Sequence, residues 1–270
     1  MNTLSFLYHT APGRFCLKFL TQRWVSRLCG TVLNSRVSTC KIRSFARKNN
    51  INLDEYLPVR YRSFNDFFTR SIRPERRPID PARDALISPC DAKLLVYPIT
   101  ADTTFSIKES VYTVSELTGN PALATRFSGG LCLVFRLSVD DYHRYCYLDD
   151  GTQDAPLFLP GVLHTVMPIA QARYPIFTRN CREVSLLRTA HLGDVAQIEV
   201  GAMLVGKISN HGKTVFTRGE EKGMFEFGGS TIVLLLEPNR AELDPIILEA
   251  SRIGLETVVR YGARIGTVKD

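Results

Sequence analysis

The apolar positions of this chain change their spacing along its length. Between residues 12 and 37, Phe15, Leu17, Leu20, Trp24, Leu28 and Val32 recur at helical intervals, with Arg14, Lys18, Arg23 and Arg27 between them. That period predicts a basic amphipathic helix. From 52 to 77 the pattern predicts a helix pair broken at Pro58, running into the turn-rich stretch RPERRPIDPARD. Beyond it, short β-rich runs alternate with turn signals. Strands are predicted at 86–87, 93–97, 131–137, 156–166, 183–188, 195–208, 214–216 and 231–236. A periodic segment at 246–261 predicts a closing helix. The expected class is α+β, a mostly antiparallel β body with N-terminal helices and a C-terminal helix.

Composition narrows this picture. With 270 residues, 44% of them hydrophobic, the chain can bury a full core and falls in the soluble globular class. Its net charge of +7 is unevenly placed: residues 1–50 hold nine Lys or Arg and no acid, whereas the remainder carries 25 against 27. An acid-free amphipathic arm fits an anionic membrane surface, where each basic residue contributes on the order of 1 kcal/mol. Packing on its own domain is the plainer alternative, and an organellar transit peptide is a third. DNA binding fits less well, because phosphate contacts do not need the apolar face of Phe15 and Trp24. The expected location is the periphery of a membrane, on the cytoplasmic face.

The seven cysteines are widely spaced, with no Cys-x-x-Cys pair and no His at ligand spacing, which argues for a reducing compartment and no structural zinc. The stretch 155–172 lacks charge, but Pro160, Gly161, His164 and Pro168 make it strand and turn rather than a membrane span. Arg14 and Lys18 interrupt the early apolar region, so no cleavable secretory signal is expected.

The candidate chemistry lies in KGMFEFGGSTIVLLLEP, 222–238. Gly228-Gly229-Ser230 by itself reads as a turn. The same flexibility leaves the Gly229 carbonyl unhindered towards the Ser230 hydroxyl, and attack there would shift the acyl group from nitrogen to oxygen. Elimination of the ester and hydrolysis would leave a pyruvoyl group. This needs a base, for which His143 in VDDYHRYCYLDDG is the candidate, and an orienting carboxylate, for which Asp91 in ISPCDAKLL is available. Alone, each has a plainer reading: a structural histidine and an Asx-type turn. GEEKG at 219–223 is expected to be a loop with solvated acids.

Eight segments in order carry a resemblance: FNDFFTR (64–70), RPID (77–80), SPCDAKL (88–94), DYHRY (141–145), PGVLHTV (160–166), VGAMLVGKI (200–208), RGEEKGMFEFGGST (218–231) and GLETVVRYGARIG (254–266). The chain resembles the phosphatidylserine decarboxylase proenzymes over about 61–268. The resemblance implies a catalytic domain at 51–270 behind a membrane-associating segment at 1–50. It also implies self-cleavage between Gly229 and Ser230, giving a β chain, 1–229, and an α chain, 230–270, that stay together as a heterodimer. Asp91, His143 and Ser230 would act as the relay. Ser230 would become the pyruvoyl group that binds the substrate amine as a Schiff base, with no metal and no pyridoxal phosphate. The implied partner is phosphatidylserine in an anionic membrane; a homo-oligomer is left open and nucleic acid is not expected. His164 and Cys146 are accessory candidates. Cys146 stands where the family often has a second histidine, and Ala92 where it often has glycine. The alternatives are a decarboxylase of another serine-headed lipid or of a soluble amino acid, and a non-enzymatic membrane-binding β-domain of the same fold.

Overall fold

The apolar run after Gly229 forms the strand Ser230–Leu236, and every one of its residues is buried. Each buried aliphatic side chain there contributes about 1.5–3 kcal/mol, which makes this the natural centre of a sheet. Its antiparallel neighbours are Asp194–Val200 and Leu131–Leu137. Outward from Leu131–Leu137 come Ala92–Pro98 and the edge strand Thr257–Val259. On the other side come Arg182–Thr189, Gly151–Gln153 and Val215–Phe216, with Leu157–Leu159 also pairing with Arg182–Thr189. The computed structural model describes residues 3–107, 110–203, 207–228 and 230–269, and among these the sheet has nine strands.

Among the described residues a two-stranded pairing of Thr104–Ile107 with Ser110–Thr113 and two three-stranded sheets complete the body. Arg144–Cys146, Glu221–Phe225 and Ile208–Asn210 form one, with Glu221–Phe225 in the middle. Ala85–Ile87, Arg264–Val268 and Ala241–Leu243 form the other, with Arg264–Val268 in the middle. The α+β class and the antiparallel body expected from the sequence are present.

Several elements are shorter than the sequence period predicts, each for an identifiable reason. The helix at 12–37 is divided into Ala11–Leu20 and Arg23–Leu33, followed by a 3₁₀ turn at Arg36–Lys41. At the break the Thr21 carbonyl accepts from Leu163 N at 2.9 Å, and Gln22 is extended. The helix pair at 52–77 is reduced to a 3₁₀ turn, Leu53–Glu55, the helix Phe64–Phe68 and a 3₁₀ turn, Pro74–Arg76. Between them the chain doubles back in an extended pairing, with Leu57 N bonded to Ser71 O at 2.9 Å. The closing helix is Pro245–Arg252, capped by Asp244, and Gly254 at φ 73° stops it. Its expected second half is instead the β-branched edge strand Thr257–Val259. Of 156–166 only Leu157–Leu159 is strand. The run at 195–208 is divided between two sheets, and its residues 204–206 lie outside the described residues.

Tyr8 and Leu17 of the N-terminal helices are buried in the main core, so the arm packs on the body. Among the described residues no helix is long and apolar enough to cross a membrane.

Candidate active site

Ser230 stands at the entrance of the central strand, paired with Leu137. The chain leaving Leu137 turns at once. Ser138 N donates to Asp141 Oδ2 at 2.6 Å, Asp141 N donates to Ser138 O, and Lys93 Nζ reaches Ser138 Oγ at 2.8 Å. This closed turn delivers His143 to the same end of the sheet.

His143 is fully buried. Its Nδ1 lies 2.8 Å from the Asp141 carbonyl. A carbonyl can only accept, so Nδ1 carries the proton and the neutral ring has its lone pair on Nε2. Nε2 has no hydrogen-bond partner among the described residues. Burial, with the nearby Arg70 charge adding to it, pushes the imidazole down to about 3, while the backbones of Asp141 and Gly228 act in the opposite direction. The Gly228 backbone therefore bears on the ring from two residues before Ser230. Gly228 has φ 126°, a conformation that side-chain-bearing residues rarely adopt, which accounts for one of the two glycines. Gly229, half of the expected cleavage site, lies outside the described residues.

The Ser230 hydroxyl is buried and has no partner among the described residues. Leaving a buried hydroxyl unpaired costs about 1–3 kcal/mol, an expense that a turn-forming serine does not require.

An aromatic wall seals this corner. The Phe68 ring lies 4.1 Å from His143 and 5.1 Å from Phe227, centroid to centroid. Phe64 also meets Phe227, at 5.1 Å. The short helix Phe64–Phe68 starts at Ser63, whose hydroxyl accepts from Asp66 N, and it also grips the segment before the serine. Asn65 Oδ1 accepts from Phe227 N at 3.0 Å and Asn65 Nδ2 donates to Glu226 at 3.1 Å. Arg70, buried without a carboxylate partner among the described residues, donates to Tyr56 Oη, 3.0 Å away, and lies over the Tyr56 ring.

The other candidates lie elsewhere. Asp91 is buried, and its carboxylate accepts from Arg77 Nε and Nη2 (2.8 and 2.6 Å), Arg260 Nη1 (3.1 Å) and Tyr261 N (2.8 Å). Among the described residues no hydrogen bond joins it to His143. Cys146 packs with Ala85 and Ile87, away from the aromatic wall, and burial pushes its thiol up to about 12. Such a thiol stays neutral at physiological pH. His164 stacks on Tyr174 at 4.6 Å and lies 3.3 Å from Tyr8 Oη, and burial pushes it down to about 4. Asn180 Nδ2 links the His164 and Gly201 carbonyls at 2.8 Å each. Continuing the strand register one residue past Val200–Thr231 puts Gly201 beside Ser230, so His164 borders the site through its backbone.

The expected GEEKG loop is largely the strand Glu221–Phe225. A Cβ on Gly223 would lie 2.5 Å from Ser209 O, so glycine permits the close pairing. Its acids are paired, Glu221 with Arg144 and His211, and Glu220 with Lys213. Lys222, not singled out in the sequence, is fully buried and donates to Glu199 Oε1 on the main sheet, 2.7 Å away.

A cavity of about 550 Å³ opens between the Arg23–Leu33 helix and the sheet, reaching Gly201 and Phe227.

Comparison with known proteins shows the family to which the chain belongs. The phosphatidylserine decarboxylase family model matches residues 64–267. A Clostridium acetobutylicum protein named phosphatidylserine decarboxylase proenzyme 2 is 47% identical over 268 residues, covering 99% of this chain and 92% of its own. Phosphatidylserine decarboxylase proenzymes of Desulfitobacterium hafniense and Clostridium tetani are 39% and 36% identical, covering 91% and 97% of this chain and 84% and 91% of theirs.

Proposed function

The chain belongs to the phosphatidylserine decarboxylase family, and from that premise we propose that it is a proenzyme that cuts itself between Gly229 and Ser230. The pyruvoyl group so made would serve the conversion of phosphatidylserine to phosphatidylethanolamine and carbon dioxide. The observation that carries this reading is the buried Ser230 hydroxyl, at the same sheet end as a neutral histidine, with neither that hydroxyl nor the histidine Nε2 partnered among the described residues.

In maturation, Nε2 of His143 takes the Ser230 proton and Oγ attacks the Gly229 carbonyl carbon. The C–N bond breaks and an ester to Oγ forms. Removal of the Ser230 α-proton then expels the Gly229 carboxylate. The dehydroalanine left at position 230 hydrolyses, releasing ammonia and leaving the pyruvoyl carbonyl. Gly228 shapes the turn, Asn65 holds the segment before it, and Phe68 and Phe227 keep competing water away. Asp91, tied to Arg77, Arg260 and the Tyr261 backbone, acts as a positioning residue.

The site's residues fit this group, since the orphaned Ser230 oxygen is the atom its formation consumes. When present, the pyruvoyl carbonyl supplies an electron sink for the pair released with carbon dioxide. The Nε2 lone pair of His143 takes a proton from the substrate ammonium and later gives it back to the substrate carbon, while Nδ1–H stays on the Asp141 carbonyl.

Membrane docking is assigned to the N-terminal helices. Phe15, Phe19, Trp24, Leu28 and Val32 are each more than half exposed, beside nine basic residues and no acid in the first fifty. Phosphatidylserine labelled at the serine carboxyl tests the reading: release of labelled carbon dioxide by the wild type and its absence with Ser230→Ala are expected. Equal release by both would refute it.

A further inference from the structure

One face of the Arg23–Leu33 helix, continued by Asn34, has a use that membrane docking leaves unexplained. Arg23, Ser26, Arg27, Gly30, Thr31 and Asn34 line the 550 Å³ cavity. Each lies three or four residues from another of the set, so they form a single stripe. Trp24, Leu28 and Val32, 58–60% exposed, form the next stripe, one residue on and about 100° around the helix.

The cavity stripe is cationic and unneutralised. Among the described residues neither Arg23 nor Arg27 makes an ion pair; Arg23 lies over the Phe158 ring at 4.9 Å. Lys207, which also lines the cavity, is balanced by Glu226 at 2.6 Å. The other lining acid, Glu183, is bonded by Asn210 Nδ2 at 2.8 Å. Asn210 is neutral and does not cancel Glu183, so the lining sets three cations against two carboxylates and leaves one positive charge in surplus. Ser26 adds an independent sign: it is 1% exposed, it lines the cavity, and its hydroxyl has no partner among the described residues. Gly30 leaves room, since a Cβ there would meet nothing within 4 Å.

We propose that this cavity is the subsite for the phosphodiester of the lipid head group, with Arg23 and Arg27 as its cationic donors and the Ser26 hydroxyl as a neutral one. The assignment rests on the decarboxylase reading above. Guanidinium forks match phosphate oxygens in two-bond geometry, and a diester carries one charge for the pair to hold. Gly201 and Phe227 line the same cavity; Gly201 falls beside Ser230 when the strand register is continued and Phe227 precedes it by three residues, so the serine end of the head group points towards the site of chemistry. The acyl chains then leave along the Trp24, Leu28, Val32 stripe. The helix that docks on the membrane is the helix that reads the head group.

Short-chain phosphatidylserine, kept monomeric, removes the membrane from the test. Arg27→Gln is expected to raise KM for it about tenfold or more, the scale of one charge-assisted bond, with kcat within about twofold and self-cleavage intact. Gly30→Leu, a change that favours the helix, is expected to raise KM without lowering the melting temperature. Arg47→Gln, exposed and away from the cavity, serves as the charge control and leaves KM alone. Glycerophosphoserine is expected to bind Ser230→Ala protein in calorimetric titration and to lose that binding when Arg27→Gln is added, with inorganic phosphate binding far more weakly. Unchanged KM for the monomeric lipid in both cavity variants overturns the subsite. Equal binding of inorganic phosphate and glycerophosphoserine overturns its assignment to a lipid head group. Wild-type protein that releases no carbon dioxide, with titration still dependent on Arg27, sinks the decarboxylase reading and leaves the subsite standing.

Discussion

Ser230 is paired with Leu137, the last residue of the neighbouring strand, and His143 follows Leu137 by six residues through a turn closed on Asp141. The proposed nucleophile and its proposed base are thus placed by one strand pairing and one short turn. Because that pairing belongs to the buried centre of the sheet, the geometry is fixed by the most stable part of the molecule.

The tautomer of His143 leads to a prediction about rate. With Nδ1–H on the Asp141 carbonyl and the ring held neutral by burial down to about 3, self-cleavage of newly folded protein should be independent of pH from about 5.5 to 8. A time course of fragment appearance checks this. An acid limb centred near the unperturbed histidine value of about 6.5 would mean the base is solvated and the geometry wrong.

Stability follows the same two buried histidines. His143 and His164 are lowered by burial to about 3 and about 4, so below about 6.5 the unfolded chain binds protons that the folded chain refuses. Their contribution is complete above that value and is lost as pH falls towards the folded values. Each histidine contributes a slope of about 1.4 kcal/mol per pH unit. Urea melts at pH 7, 6 and 5 should show the fall, and His164→Gln should lessen it. Stability unchanged from pH 7 to 5 would contradict the burial of both rings.

These two examples mark what was legible in the chain. Ser230 and His143 were singled out only together and through the distinctive segments around them, since each alone has a plainer reading. The partner of His143 was not, because it is the backbone carbonyl of Asp141, which no side-chain pattern reveals. Asp91 was found, but its grip by Arg77 and Arg260 depends on folding that joins positions 14 and 169 residues away. Lys222 was not singled out, because it becomes a buried partner of Glu199 only when the second sheet closes over the first. The strands at 131–137 and 231–236 were read nearly to the residue because both carry continuous apolar runs. The helix at 12–37 was read as one because a tertiary bond to Thr21, not a helix breaker, divides it.

Asp91 offers a way to separate structure from chemistry. With Asp91 1% and Arg77 9% exposed, Asp91→Ala leaves the Arg77 guanidinium only Glu55, 3.2 Å away, as a carboxylate partner and should cost about 1–3 kcal/mol, while pairing it with Arg77→Leu should recover part of that. Thermal melts of the two variants provide the check. A single variant that melts like wild type yet never cleaves would instead make Asp91 a purely chemical member of the site.

Lys222 and Glu199 form a fully buried pair, both 0% exposed. Lys222→Met alone should destabilise by about 3–5 kcal/mol, and adding Glu199→Gln should restore much of the loss. Additive losses in denaturant titration would show that the two side chains do not interact.

The fragments should stay together after cleavage. Ser230–Leu236 lies between two strands of the larger piece, Thr257–Val259 pairs with Ala92–Pro98, and Arg264–Val268 pairs with Ala85–Ile87. Gel filtration in native buffer should give one species containing both pieces, separating only in denaturant. Spontaneous loss of the smaller piece would contradict this interleaving.

The central claim is that Ser230 is consumed to make the reactive carbonyl, and intact-protein mass spectrometry of freshly purified wild type beside Ser230→Ala tests it most directly. The account predicts two wild-type fragments, the smaller beginning at position 230 with a pyruvoyl group in place of the serine, and one uncut chain in the variant. A wild type that stays a single chain on incubation with anionic lipid would contradict it.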